Sequence, residues 1–301
     1  MSKQPFLRDL RYRWEASLAY IAFGLFRQMP VAWASACGSY LARLLGPLSR
    51  PHKTARKNLI HAFPEMTNRE IAAIQSQAWE NFGRVTAEYA VLSRLRDNHE
   101  DYPIEVYGKE HLQALAQDNK PVIIFSGHIA NWEVLPIIAA RIATPPAVVY
   151  RAPNNPYIEN LLQSCRGLSP SQHIPKGHSG ARRIIREIRN GGIVGLLIDQ
   201  KSNTGLPVPL FGRNAMTGDA VARIAIRLRC HVLPARVKRI KGCHFRVTFE
   251  EPWTIEESVP TKSNVFNLLK RMNNHLESWV REDPGQWLWM HNRWPKDKLT
   301  S

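Results

Sequence analysis

The chain has 301 residues, 44% of them hydrophobic and 22% charged, a balance that excludes intrinsic disorder and allows one large or two modest cores. Lys and Arg number 41 against 25 Asp and Glu, so the formal charge of +16 favours a polyanionic partner: nucleic acid, an anionic membrane or an acidic protein. Cys37, Cys165, Cys230 and Cys243 form no CxxC pair and have no histidine at ligand spacing, which excludes a zinc site or a disulfide framework and fits a reducing compartment.

The charge is concentrated at the N-terminus. Residues 1–60 hold ten Lys and Arg against only Asp9 and Glu15, and these cations bracket an apolar tract, WEASLAYIAFGLF at 14–26 and VAWASACGSYLARLLGPL at 31–48. A spanning helix needs roughly 20 apolar residues in a row, and Arg27, Pro30 and Arg43 interrupt this tract. Residues 1–50 are therefore predicted to form one or two helices lying in a membrane interface, with Arg and Trp at headgroup level. A buried helical hairpin is the competing reading, and a single spanning helix a third. No small-residue cleavage site follows the tract, which argues against a signal peptide.

Next comes RKNLIHAF, a helix closed by Pro64, and then Thr67-Asn-Arg-Glu70, a capping box that opens a helix predicted to reach about Leu95. From about residue 103 short β-rich runs alternate with helical stretches. PVIIFSG (121–127), PAVVY (146–150), GIVGLLID (192–199), HVLPARV (231–237) and HFRVTFE (244–250) are predicted strands; 130–143, 154–167, 179–190, 216–228 and 263–282 are predicted helices. The fold class that results is α/β: a central mixed, mostly parallel sheet flanked by helices over residues 51–301, behind the N-terminal helical membrane-associating region. An aromatic tail, PGQWLWMHNRWP, follows the last helix and is read either as packing on the core or as covering a groove at membrane level. No RNP motif, zinc finger or helix-turn-helix spacing appears, so nucleic acid is not a predicted partner.

The segment SGHIANWEVLP at 126–136 carries the chemistry. A wholly apolar strand stops at Ser-Gly and delivers His128 where a helix should begin, and catalytic groups of α/β sheets gather at such strand ends. Glu133 lies five positions on, close enough for its carboxylate to fold back on the imidazole and fix its tautomer, as a base that deprotonates an alcohol requires. The backbone N–H groups of residues 130–132 are the expected oxyanion donors. Arg151 closes the run AVVYR at another strand end, placed to grip a phosphate or carboxylate or simply to face solvent. In FGRNAMTGDAVARIA, Gly212 and Arg213 are expected in a turn and Thr217 near a helix start, a setting for anion contact or for a plain helix cap.

The His-x4-Glu spacing resembles the His-x4-Asp/Glu motif of the glycerolipid acyltransferase superfamily. With ARKNLIHAFPE (55–65), NFGRVTAEY (81–89), YRAPNNPYIENLL (150–162), GARRIIREIRNGGIVGLLIDQ (180–200), PLFGRNAMTGDAVARIA (209–225) and QWLWMHNRWP (286–295), the chain resembles the lipid A biosynthesis late acyltransferases. The resemblance implies transfer of a fatty acyl group from an acyl carrier protein thioester to the hydroxyl of a 3-hydroxyacyl chain on a lipid A precursor. It implies work at the cytoplasmic face of a bacterial inner membrane, with no metal and no cofactor. His128 is then the general base and Glu133 its stabilising carboxylate. The block LLIDQ nominates Asp199 and Gln200 as substrate-binding residues. Glycerol-phosphate relatives commonly show Arg where this chain has Gln200, which shifts phosphate binding toward other cations such as Arg151. Two further readings stand beside this one: an acyltransferase acting on another membrane lipid, with acyl-CoA as an alternative donor, and a basic peripheral protein without catalysis.

Overall fold

The computed structural model describes residues 3–97, 102–118, 120–166, 171–256 and 258–294, with the side chains of 3–6, 95–97, 178 and 179 left aside. The last residue of the predicted helix 154–167 and Pro295 of the aromatic tail lie outside that range.

Helices α1 (Lys3–Gln28) and α2 (Val31–Leu45) meet at Pro30, which cannot continue a helix. Helix α3 (Arg50–Ala62) ends just before Pro64, and α4 (Asn68–Ala90) opens at the predicted capping box, where the Glu70 N–H donates to Thr67 Oγ1 and the Thr67 N–H to Glu70 Oε2. The helix expected to reach Leu95 breaks at Val91 and resumes as α5 (Leu92–Asp97). Helix α2 lies against α4 so closely that a Cβ added at Gly38 would stand 2.3 Å from the Gly83 carbonyl oxygen. Glycine on both helices is what allows that approach.

The α/β half follows as β1 (Ile104–Tyr107), α6 (Lys109–Gln117), β2 (Val122–Ser126), α7 (Val134–Ile142), β3 (Ala147–Tyr150), α8 (Pro156–Arg166), β4 (Gln172–Pro175), α9 (His178–Arg189), β5 (Ile193–Leu197), a hairpin of β6 (Leu206–Leu210) and β7 (Arg213–Thr217), α10 (Ala220–Arg227), β8 (His231–Lys241), β9 (His244–Phe249) and α11 (Lys262–Glu282). Among the described residues seven strands form one sheet in the order β1-β9-β8-β2-β5-β3-β4, parallel except where β8 meets β9. This is the predicted mixed, mostly parallel sheet. β2 sits near its middle with all five residues buried, which its unbroken apolar run demands.

Chain direction sorts the helices. The path β2-α7-β3-α8-β4 moves toward one edge and β4-α9-β5…α10-β8 returns, so right-handed crossovers place α7 and α8 on one face and α9 and α10 on the other. Helices α1 and α4 pack on α8, and α11 packs on α10, so the N-terminal helices belong to the α7–α8 face. No helix of the described residues is long and apolar enough to cross a membrane. Helix α1 nevertheless exposes Trp14, Leu18, Ile21 and Leu25, an apolar stripe at helical spacing, and α2 adds Trp33 and Leu44.

Candidate active site

His128 leaves the end of β2 after Gly127, where any side chain would strike Leu276 and crowd the Asp199 carboxylate. Asp199 stands just past the end of the neighbouring parallel strand β5, so the two residues meet because β2 and β5 pair in register, Ser126 opposite Leu197. The imidazole Nδ1–H donates to Asp199 Oδ1 at 2.7 Å, and the His128 backbone N–H donates to Oδ2 at 2.7 Å. Trp287 Nε1–H supplies a third donor to Oδ2, also at 2.7 Å. Burial pushes this carboxyl upward, but the His128 ring and these hydrogen bonds reverse the effect and hold it well below the usual carboxylate range. An ionised Asp199 can only accept, so Nδ1 carries a proton, and in the neutral ring the lone pair is on Nε2. That lone pair lies 3.4 Å from Gln200 Nε2.

Glu133 does not take the place expected for it. Ile129 bridges to Trp287, Ala130 turns through a left-handed conformation (φ 50), and Glu133 emerges beneath α7 on the α4–α8 side. Its carboxylate accepts from Arg166 Nη2 at 2.7 Å, from Arg166 Nε at 3.1 Å and from the Tyr89 hydroxyl, and the structure gives it no bond to His128. Burial raises the Glu133 carboxyl, and Arg166 more than offsets it, so the group ends below its ordinary value; the Tyr89 phenol, buried beside it, is pushed up. The carboxylate behind the imidazole is therefore Asp199, a residue expected only to bind substrate. Nor is the Ala130 N–H an oxyanion donor, because it donates to the Gln286 carbonyl at 2.9 Å.

Two cavities flank the sheet, one on each side: His128 lines the first, and the second reaches the neighbouring Gln200. The first, about 230 Å³, runs between β2, β3, β5 and α7 and is mostly apolar, with Leu135, Pro136, Ala139, Pro146 and Gly195 in its wall. The second, about 720 Å³, lies under α9 and α10 and carries Lys201, Asn203, Thr204, His291 and Asn292. Arg151, Lys176 and Gln200 line both, and so stand at the junction. Lys176 ends β4 as Arg151 ends β3, and burial pulls its amine below the ordinary lysine value. Sequence reasoning missed Lys176 because β4 is only four residues long and includes His173 and Pro175; a strand-end rule applied to HIPK would have found it.

The other expected binding residues part company. Gly212 does turn (φ 70), but Arg213 opens strand β7, lies 3.4 Å from His61 and lines neither cavity. Thr217 ends that strand rather than starting a helix, and its hydroxyl accepts from Arg293 Nη2 at 2.8 Å. It does line the second cavity. The aromatic tail serves the core: Trp287, Trp289 and Trp294 are buried, and the Leu288 N–H donates to the His128 carbonyl, pinning the turn after β2 from behind. Among the described residues no group of three His, Cys, Asp or Glu side chains could hold a metal.

With this geometry in hand, comparison with known proteins is informative. The model of the family described as bacterial lipid A biosynthesis acyltransferase matches residues 1–296. The chain belongs to that family. It is 23% identical over 276 residues to a lipid A biosynthesis palmitoleoyltransferase of Escherichia coli K12, covering 89% of this chain and 87% of that one. It is 24% identical over 272 residues to the lipid A biosynthesis lauroyltransferase of the same organism, covering 88% and 85%. Among solved structures, the 1-acyl-sn-glycerophosphate acyltransferase PlsC of Thermotoga maritima superposes with a TM-score of 0.40 at 12% identity, over 92% of this chain and 99% of that one. The protein is thus an acyltransferase of lipid A biosynthesis, and the alternative lipid acceptors considered from sequence are not favoured.

Proposed function

We propose that this enzyme moves a fatty acyl chain from an acyl carrier protein thioester to the hydroxyl of a 3-hydroxyacyl chain on a lipid A precursor, with His128 Nε2 as the base. The observation that carries this reading is the pair of 2.7 Å bonds from His128 to Asp199, which in the neutral ring leave the Nε2 lone pair for a substrate in the first cavity. As the acceptor oxygen attacks the thioester carbonyl, Nε2 takes its proton and Asp199 stabilises the imidazolium. The tetrahedral adduct then expels the thiolate, which recovers that proton as a thiol, and an ester remains. Base catalysis of this kind is worth roughly 10²–10⁴ in rate. We assign the oxyanion to Gln200 Nε2–H, which lies 3.4 Å from His128 Nε2, and one such donor contributes about 10²–10³.

The apolar first cavity receives the hydrocarbon of the donor, and Arg151 with Lys176 at the rim meets precursor phosphates. Residues 1–50 serve as the membrane-associating region, laying the Trp14–Leu25 stripe of α1 and Trp33 of α2 on the cytoplasmic face of the inner membrane. No metal and no cofactor takes part. The test is acyl transfer to a purified tetra-acylated precursor with carrier-protein donors, product masses being read for wild type and H128A. Transfer by the wild type alone supports the reading; equal transfer by both overturns the base assignment. Flotation with anionic vesicles checks the membrane face, and W14E/L18E is expected to abolish it.

A further inference from the structure

Helix α9 presents a second basic surface that neither the dyad nor the membrane face uses. Arg182, Arg183, Arg186 and Arg189 all face solvent, while Ile188 is buried and Ile184 is half-buried toward the sheet. Among the described residues none of the four makes an ion pair, and Arg183 Nη2 donates a long hydrogen bond to Gln172 Oε1 at 3.5 Å. Four guanidiniums within eight residues repel one another, a cost of a few tenths of a kcal/mol per i,i+4 pair that an anionic partner would relieve. Between them Ile185 sits in a shallow depression of about 300 Å³ walled by Arg182, Arg186, Arg189 and Asn190, a seat for one apolar side chain ringed by cations.

The place of this helix decides what it could meet. It covers β3, β4 and β5, on the sheet face opposite α8, whereas the exposed apolar stripe belongs to α1, which packs on α8. A bilayer touching Trp14 and Trp33 is therefore on the other side of the sheet from the α9 arginines. The inner side of α9 is also a wall of the second cavity, through Ala181 and Ile184, and that cavity continues to Gln200, whose amide lies 3.4 Å from His128 Nε2. A macromolecule held on the outer side would stand over a cavity of about 720 Å³ that reaches Gln200 beside the base.

We infer that the arginine face of α9 docks the acidic carrier protein, with Ile185 receiving an apolar side chain of the carrier, and that the second cavity admits the carrier's thioester-bearing arm to His128. This rests on the carrier-thioester donor proposed above and names the surface that reads it. Charge complementarity selects a protein of dense negative charge, and the cavity selects one that delivers its cargo on a slender flexible arm. The acceptor lipid keeps the opposite, membrane-facing side, so both substrates can be bound at once.

The experiment compares wild type with R182E/R186E on two donors bearing the same acyl chain, the acyl carrier protein thioester and the acyl-pantetheine thioester, at two salt concentrations. The expected result is a KM for the carrier donor raised at least tenfold with kcat held, a flattened salt dependence, and unchanged kinetics on acyl-pantetheine and unchanged vesicle flotation. An unchanged carrier KM overturns the docking surface, as does an equal loss on both donors or a loss confined to vesicle binding, which would make α9 a membrane contact. A wild type that turns over acyl-pantetheine but never the carrier thioester would defeat the donor assignment itself, and the docking surface with it. The milder R182Q/R186Q is expected to give an intermediate KM, which a misfolded charge-reversal variant would not foretell.

Discussion

Asp199 and Glu133 are both buried, both held below the ordinary carboxylate range, and both met by a nitrogen donor at 2.7 Å. The nitrogens differ in what they have left to give. His128 spends Nδ1 on Asp199 and leaves the other edge of its ring to the first cavity, whereas the Arg166 guanidinium is permanently charged and its pair with Glu133 is closed further by Tyr89. One carboxylate thus orients the imidazole proposed as the base; the other fixes α7 to α4 and α8 and forms part of the wall of the first cavity. Proximity in sequence to the histidine does not decide which is which.

The comparison can be broken most severely at the base. H128A is expected to lower kcat/KM by about 10³–10⁴ with melting temperature and vesicle binding preserved. D199N keeps the shape but offers its amide to Nδ1, so kcat should fall about 10²–10⁴ with KM little changed, as for other histidines deprived of their orienting carboxylate. E133Q should separate the two roles: a kcat within tenfold of wild type, with a stability loss of about 3–5 kcal/mol in chemical denaturation, because Arg166 is left buried without its counter-charge. If Glu133 were the catalytic partner, the kinetic order of D199N and E133Q would be reversed. Replacing both members, E133M/R166M, should cost less stability than either single change, a coupling that a double-mutant cycle reads directly.

Acidity gives the smallest and most selective effect. Glu133 is depressed in the fold relative to the unfolded value of about 4, so its contribution is fully present above that pH and is lost as pH falls through the folded value. The stability gap between wild type and E133Q is therefore expected to be widest near neutrality and to narrow on acidification below about pH 4. Thermal denaturation at stepped pH checks it, and a gap that widens toward acid would contradict the pairing.

Much of the architecture was legible because it follows local rules. The apolar runs became β2, β3, β5, β8 and β9, and Thr67 and Glu70 form the capping box their spacing called for. The short strands escaped: β4 is only four residues with an exposed Gln172 and a Pro, and Arg213–Thr217 looked like a turn leading into a helix because Gly212 and Gly218 flank it. In the site, His128 was legible from its strand end. Its partner was not, because the contact with Asp199 spans 71 positions and depends on the β2–β5 register, which no linear spacing encodes. The N-terminal tract was readable as helical and broken at Pro30, while the packing of Gly38 on Gly83 that docks it on α4 was not.

The central claim is that Asp199 fixes the tautomer of His128 and Glu133 does not. Nitrogen-15 NMR of the imidazole, read in wild type, D199N and E133Q at neutral pH, tests it without reference to any substrate. The account predicts a single Nδ1–H form with a bare Nε2 in wild type and in E133Q, and a mixture in D199N. A ring that stays Nδ1-protonated in D199N but loses that form in E133Q would contradict it.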